Sequence, residues 1–417
     1  MKILFISNKS EFGGAPKCML ELIDLLTRLY NIEVEVVTYG DYKISAWCRE
    51  RSIKYYAVGH VPFAIGKGST PVRRFGKTIL TPMYYVKSHL QNKKAFNKAC
   101  QMIDFSNIDI IHTNSNRDCL GAMLAQKYNI PHVWHLREFG KEDYDIRYLM
   151  SKYIGFMNKT TDYFIAISEA VKKVWIEKGL DKDKIVRIYD GIKMPDQEVI
   201  EKAEKHQKEN NAQKVKFAYL GIVCPSKGQF DAVKALNYLP KEILKNIQID
   251  FWGDCDCLPE FTQQMKIYAK EHGYPDSISF KGFSDNVWNE LPNYDGALVC
   301  SRAEAFGRIT PEYMSIGLQV IASDTGANPE LIEDGVSGYL YNHVDLKDLV
   351  SKILTVYRSS NETKRIISVN AQKRSQMFSD KIHASRIFGF YTNIVSNANT
   401  DGNQCRINNS EEGRKSL

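Results

Sequence analysis

A loop that opens on one glutamate and hands the chain to a helix carrying a second constrains this sequence more than any other feature. Residues 301–330 read SRAEAFGRITPEYMSIGLQVIASDTGANPE. Glu304 stands on a short loop, and the chain then passes through Phe306, Gly307 and Arg308. A helix is expected to follow, with Thr310 as its N-cap and Pro311 at its first position. Glu312 then falls in the first helical turn, eight residues after Glu304. Gly317 stops the helix, and Gln319 to Ala322 reads as a short buried strand. One loop and one helix start therefore gather two carboxylates, a glycine without side-chain bulk and several backbone N–H groups. A helix N-terminus offers donors and partial positive charge, which suit a diphosphate. A carboxylate suits a vicinal diol, from which it accepts two hydrogen bonds. A ligand that carries both is a nucleotide sugar.

The run Glu304-Ala305-Phe306-Gly307-Arg308-Ile309-Thr310-Pro311-Glu312 resembles the E-x-F-G-x-x-x-x-E signature of the group 1 (family four) retaining glycosyltransferases. Two glutamates eight apart are common by chance, but these are followed by Gly317, Asp324 and Asn328-Pro329-Glu330. The resemblance covers residues 1–396 and implies an α/β fold of GT-B architecture, two Rossmann-like doubly wound domains facing across a cleft. Residues 1–195 would bind the acceptor and 214–378 the nucleotide sugar, with 379–396 a helix crossing back to the N-terminal domain. Polar and small residues dominate 397–417, so that tail is expected to be disordered.

A chain of 417 residues exceeds one ordinary core, which agrees with two domains. No apolar run approaches the ~18 residues that span a bilayer. The opening MKILFIS is too short for a signal peptide and reads as a first strand. Nine cysteines are scattered without C-x-x-C spacing, and Cys255 and Cys257 lack partner ligands nearby, so no metal is expected. Reduced thiols and no export signal point to the cytoplasm. The net charge of +7 is unevenly spread. Residues 51–103 contain no acidic residue but carry Arg51, Lys54, Lys67, Arg73, Arg74, Lys77, Lys87, Lys93, Lys94 and Lys98 among Phe63, Phe75, Ile79, Leu80, Met83, Tyr84 and Tyr85. Such a stretch lies on an anionic membrane surface, binds nucleic acid or an acidic partner, or is an ordinary solvated helix face. The expectation adopted is peripheral contact with the inner face of the membrane, and no nucleic acid.

The chain opens as a βαβ unit: a strand at Lys2 to Ser7, a loop with Gly13 and Gly14, a helix from about Lys17, and a strand at Glu33 to Thr38. The glycine pair falls at the carboxyl end of the first strand, where open α/β sheets bind ligands, although the dinucleotide G-x-G-x-x-G spacing is absent. The resemblance places Gly13 and Gly14 against the donor. Further on, residues 131–135 form a strand that ends in His135-Leu136-Arg137-Glu138. The resemblance sets His135 near the anomeric carbon and the acceptor, with Glu138 orienting the acceptor; the plainer reading is a structural histidine at a polar strand end. Asp190 in Tyr189-Asp190-Gly191-Ile192 departs mildly from the family's Asn-Gly, and the lysine-rich run 197–214 marks the domain boundary.

The pattern restarts with a strand at Lys216 to Leu220, followed by Gly221-Ile222-Val223-Cys224-Pro225-Ser226-Lys227-Gly228. The family reads Gly-Arg-Leu-x-x-x-Lys-Gly here, and Gly221, Lys227 and Gly228 match. Ile222 replaces the usual arginine, which removes one of two cations facing the diphosphate; Arg308 is the candidate substitute. Phe283, at the end of another strand, matches the position that lies against the nucleobase, or is a core aromatic. Helices fill the chain after Tyr341.

The activity implied is a metal-independent retaining hexosyltransfer from a nucleotide-diphosphate sugar to a carbohydrate or lipid-linked acceptor in surface or capsular polysaccharide assembly, with no cofactor. Glu312 would hold the ribose, Glu304 the transferred sugar, and Lys227 with the backbone of Phe306, Gly307 and Arg308 the departing diphosphate. His135, Glu304 and Lys227 carry the chemistry. Two alternatives stand beside it: a sugar-nucleotide epimerase or phosphorylase of the same architecture, and a non-catalytic interaction subunit of a glycosylation complex.

Overall fold

The computed structural model describes residues 1–7, 14–66, 75, 77–140, 146–209 and 214–412, with side chains described for all of these except 209 and 399–412. The chain divides into two units, Met1–Tyr189 with the chain from Asp380 onward, and Asp190–Ser379.

The first unit holds β1 (Lys2–Ile6), β2 (Glu33–Thr38), β3 (Lys54–Ala57), β4 (Ala64–Gly66), β5 (Ile110–Thr113), β6 (His132–Leu136), β7 (Ile146–Tyr148), β8 (Tyr163–Ala166) and β9 (Ile185–Arg187). Seven of them form one parallel sheet in the order β3-β2-β1-β5-β6-β8-β9, while β4 and β7 pair antiparallel outside it. Continuous apolar runs such as KILFI are what a parallel strand buried on both faces requires. On one face Leu22, Ile23 and Leu26 of the helix Gly14–Tyr30 pack with Ile387, Tyr391 and Ile394 of the last helix. On the other, Ala95 and Ala99 pack with Leu120 and Leu124. Each fully buried leucine or isoleucine contributes roughly 1.5–3 kcal/mol relative to exposure.

The second unit has β10 (Val215–Leu220), β11 (Ile247–Trp252), β12 (Ile278–Gly282), β13 (Gly296–Val299), β14 (Gln319–Ser323) and β15 (Tyr339–Tyr341), all parallel, in the order β12-β11-β10-β13-β14-β15. Counted within the unit this is 3-2-1-4-5-6, the dinucleotide-fold order, whose direction reverses between β10 and β13. A crevice for ligands is expected at the carboxyl ends of those two strands.

Three expectations change. The lysine-rich run expected to mark the domain boundary is a helix over Gln197–Glu209 inside the second unit, which begins at Asp190. Its Ala203 is buried beside Tyr294 and Ala371, Val199 packs on the same core, and Gln207 donates to the Gly317 carbonyl at 2.8 Å. A polar composition hid this narrow apolar seam at i, i+4 spacing. The last helix runs Asp380–Glu412, so the tail expected to be disordered continues a helix as far as 412. Extension of a helix already anchored by packing needs no new nucleus, and no proline stands in that stretch. Finally, the helix after Arg308 is Ile309–Ser315 and has no side-chain cap, so Thr310 is not its N-cap.

Candidate functional site

The second unit's switch point is shaped by turns at glycines of positive φ. After β10 the chain turns at Gly221 (φ 142°), makes a short 3-10 turn over Pro225–Lys227, and leaves through Gly228 (φ 77°). A Cβ on Gly228 would stand 2.0 Å from the Cys300 carbonyl oxygen, so the lysine turn lies directly on the end of β13. The buried Tyr219 hydroxyl fastens the same two segments: it donates to the Lys227 carbonyl and accepts the Cys300 N–H at 2.9 Å. Burial raises the pKa of this phenol well above its ordinary value, which keeps its proton in place. Gln229, also buried, donates to the Ile222 carbonyl at 2.9 Å and fixes the start of the loop.

After β13 the Glu304 loop is closed from beneath. Gly307 (φ 76°) would put a Cβ 2.4 Å from Glu304 Cγ, and Gly326 (φ 58°) one 2.2 Å from the Glu304 carbonyl oxygen. Ala327 donates its N–H to that carbonyl at 2.9 Å. Thr310 is fully buried and donates to Asn328 Oδ1 at 3.0 Å, while Ser323 and Thr325 donate to the Ser301 carbonyl at 2.7 and 2.9 Å. Thr310 and Asn328 therefore tie the two ends of the motif together, which is why the threonine is unavailable as a cap. Phe306 is buried and stacks edge-on with Phe378 at 5.9 Å between ring centroids.

This scaffold holds Lys227 Nζ 2.8 Å from Glu304 Oε2. The two line a cavity of about 210 Å³ with Gly221, Gly307 and Arg308. Arg308 also reaches Glu312, Nε to Oε1 at 3.9 Å. Gly221, Lys227, Glu304, Gly307 and Arg308 are thus brought together, and Glu312 is joined to them through Arg308. Phe306 supports the loop from the core side. Phe283 is 74% exposed, which disposes of the core-aromatic alternative, and Ile222 is 52% exposed at the position of the family's arginine.

The first unit's strand ends carry a different set. Gly14 begins the helix Gly14–Tyr30, and a Cβ there would meet nothing within 4 Å; Gly13 lies outside the described residues. His135 is wholly buried. Its Nδ1 is 3.2 Å from His112 Nε2 and 3.4 Å from an Arg137 guanidinium nitrogen, and the Tyr391 hydroxyl is 2.6 Å from His112 Nδ1. Among the described residues, His135 Nε2 has no hydrogen-bond partner. Burial first, then the Arg137 charge, holds the pKa of both His112 and His135 far below the usual imidazole range. Glu138 is buried and accepts from Arg117 Nε at 2.6 Å, so in this structure it serves the arginine. The sequence reading missed His112, Arg137 and Tyr391; only the strand-end position of residues 112–115, one strand from His135, hinted at them. A larger cavity of about 730 Å³, lined by Pro131, Asp162 and Tyr163, sits at the amino ends of β6 and β8, the wrong edge for this fold's ligands.

Two doubly wound parallel sheets, one with a charged crevice at its switch point, define a two-unit nucleotide-binding fold. The family model for glycosyl transferases group 1 matches residues 201–374, and that for glycosyltransferase family 4 matches residues 12–194. The chain belongs to the group 1 glycosyltransferases of GT-B architecture. It is 24% identical over 393 residues, 91% of this chain and 94% of the relative, to an uncharacterized glycosyltransferase of Methanocaldococcus jannaschii. The fold is similar to that of Anabaena HepE in complex with UDP (TM-score 0.73, 20% identity, 94% of this chain and 100% of the other). It is also similar to the lipopolysaccharide outer core galactosyltransferase WaaB (TM-score 0.67, 20% identity, 96% and 100%).

Proposed function

We propose that this glycosyltransferase moves a hexose, with retention, from a nucleotide-diphosphate sugar to a carbohydrate or lipid-linked acceptor in surface polysaccharide assembly. The observation that carries the reading is the Lys227–Glu304 pair on a glycine-shaped floor at the switch point. Each side chain holds the other where a donor would separate their tasks: Lys227 neutralises the diphosphate, and Glu304 accepts hydrogen bonds from hydroxyls of the transferred sugar. Arg308 supplies the second cation where Ile222 stands, and Glu312 takes the ribose hydroxyls. Gly13 and Gly14 belong to the donor side of the first unit, Phe283 to the base. Charge growing on the leaving diphosphate is met by Lys227, Arg308 and the backbone of 306–308, which makes the reaction independent of a metal. His135 and Glu138 are assigned to the acceptor side of the first unit. HepE has been crystallised with UDP-glucose, and a uridine nucleotide is the first donor to try.

The acceptor is read as lipid-linked because of the helix Thr81–Met102. Phe75, Ile79, Met83, Val86 and Leu90 are exposed together with Lys87, Lys93 and Lys94, and residues 51–103 contain no acid to repel an anionic surface. Among the described residues no helix is long and apolar enough to cross a membrane, so contact would be peripheral. Lys67, Arg73 and Arg74 of this basic segment lie outside the described residues.

The test is transfer from UDP-, GDP- and ADP-sugars to a panel of lipid-linked and free saccharides, with excess EDTA present. An axially configured donor should give a product of the same anomeric configuration. An inverted product, or loss of turnover in EDTA, would contradict the reading.

A further inference from the structure

The hydrogen bonds around His135 fix which of its nitrogens carries the proton. A guanidinium has only donors, so the Arg137 nitrogen 3.4 Å from His135 Nδ1 requires a lone pair at that atom. His112 Nε2, 3.2 Å from the same Nδ1, must then be the donor in their contact. A neutral His112 has one proton, and once it sits on Nε2 the Nδ1 atom can only accept. The Tyr391 hydroxyl, 2.6 Å away, is therefore the donor there. Burial keeps both imidazoles neutral and the Tyr391 phenol protonated. The donors run one way: Tyr391 to His112, His112 and Arg137 to His135 Nδ1. The single proton of His135 is left on Nε2, an atom that is buried with no hydrogen-bond partner among the described residues. A buried N–H without an acceptor is costly, and it is what a site awaiting a ligand oxygen presents. Arg137 is itself braced, donating through Nε to Asn114 Oδ1 at 2.6 Å.

We propose that Tyr391, His112 and Arg137 are positioning residues that lock His135 in the Nε2-protonated tautomer, so that it donates a hydrogen bond to an oxygen of the bound sugar substrate and does not act as a base. The inference rests on the functional reading above for the identity of the ligand, but not for the tautomer. It assigns the last helix a task in the chemistry of the first unit, because Tyr391 lies on Asp380–Glu412. The groups packed around the two rings include Arg137 after β6, Tyr391 from the last helix, His132 at the start of β6, and His383, whose ring lies stacked 6.2 Å from that of His135 and whose Nδ1 is 2.6 Å from the Tyr189 carbonyl.

Nitrogen-15 spectra of the histidine-labelled full chain at neutral pH test the tautomer directly, with His135 assigned by its loss in His135→Gln. The expected pattern is an unprotonated Nδ1 and a protonated Nε2. A proton on Nδ1, or a mixture of tautomers, overturns the proposal whatever the activity. The relay is tested by rescue. In His112→Gln the side-chain amide can still donate to His135, and kcat/KM for transfer should stay within about twofold of wild type. His112→Leu, and to a smaller extent Tyr391→Phe, should lower it by about tenfold, the worth of one buried hydrogen bond, with the His135 spectrum changed as well. Equal losses in the glutamine and leucine variants with an unchanged His135 spectrum would make His112 merely structural. Absence of transfer from every sugar nucleotide would fail the functional reading while leaving the spectrum to decide this one.

Discussion

At the ends of β10 and β13 the second unit puts its charges on loops and shapes the backbone with glycine. Lys227 and Glu304 are both partly open to solvent, and Gly228, Gly307 and Gly326 each occupy a positive φ where a Cβ would strike the chain. At the ends of β5 and β6 the first unit does the reverse. Its backbone is ordinary strand, and its polar groups are sealed inside: His112, His132 and His135 are all wholly buried, and the polarity is resolved by side-chain hydrogen bonds. An open ion pair can exchange partners when an anionic ligand arrives. A closed chain of neutral groups can only present the one atom its bonding leaves over.

The contrast should be plainest in acid. Burial depresses the pKa of His112 and His135 strongly and that of His132 to about 3. Above the ordinary imidazole pKa of ~6.5 these groups are neutral in both folded and unfolded chains and cost nothing. Below it the unfolded chain takes up protons that the folded chain refuses, so stability is lost as pH falls, by about 1.4 kcal/mol per pH unit for each histidine, or about 4 for the three. The second unit's His206, His272 and His343 are all at least partly exposed. Hydrogen exchange after a jump to acid should therefore show residues 1–189 opening before 190–379. The opposite order would break the comparison.

A smaller effect is expected from backbone shape. Gly228→Ala combines a positive φ with a carbonyl in the way, and should cost about 2–3 kcal/mol of the second unit's stability, read by thermal or denaturant unfolding. A neutral result would mean the lysine turn can relax and is not the rigid floor described here. The smallest effect is the sharpest for the charge argument. Ile222→Arg adds a cation at an exposed position, and should tighten nucleoside diphosphate binding by at most about tenfold, because Arg308 already lines the same cavity. Indifference would show that position 222 does not face the phosphates.

The same difference explains what could be read from the sequence. The second unit's crevice was legible because glycine, proline and glutamate at fixed offsets betray a shaped loop; Glu304, Gly307, Arg308 and Lys227 line one cavity. Thr310 was misread because a threonine before a proline is a common cap, and nothing local reveals the buried Asn328 that claims its hydroxyl. The helix over 197–209 was hidden by lysines and glutamates around a seam of only Val199 and Ala203. In the first unit His135 could be named from its strand end, but Tyr391 meets His112 across 279 positions of sequence. No local pattern encodes such a pairing, and a buried histidine reads the same as any other until its neighbours are in place.

The central claim is that Lys227 grips the diphosphate and Glu304 the sugar attached to it. Calorimetric titration of the wild type, Lys227→Met and Glu304→Gln with both a nucleoside diphosphate and the corresponding nucleotide sugar tests it directly. The account predicts that Lys227→Met weakens both ligands, whereas Glu304→Gln weakens the nucleotide sugar and leaves the bare diphosphate bound as tightly as before or tighter, its lysine having been released. If the glutamine variant lost both ligands equally, or if neither substitution mattered, the assignment of this crevice would be contradicted.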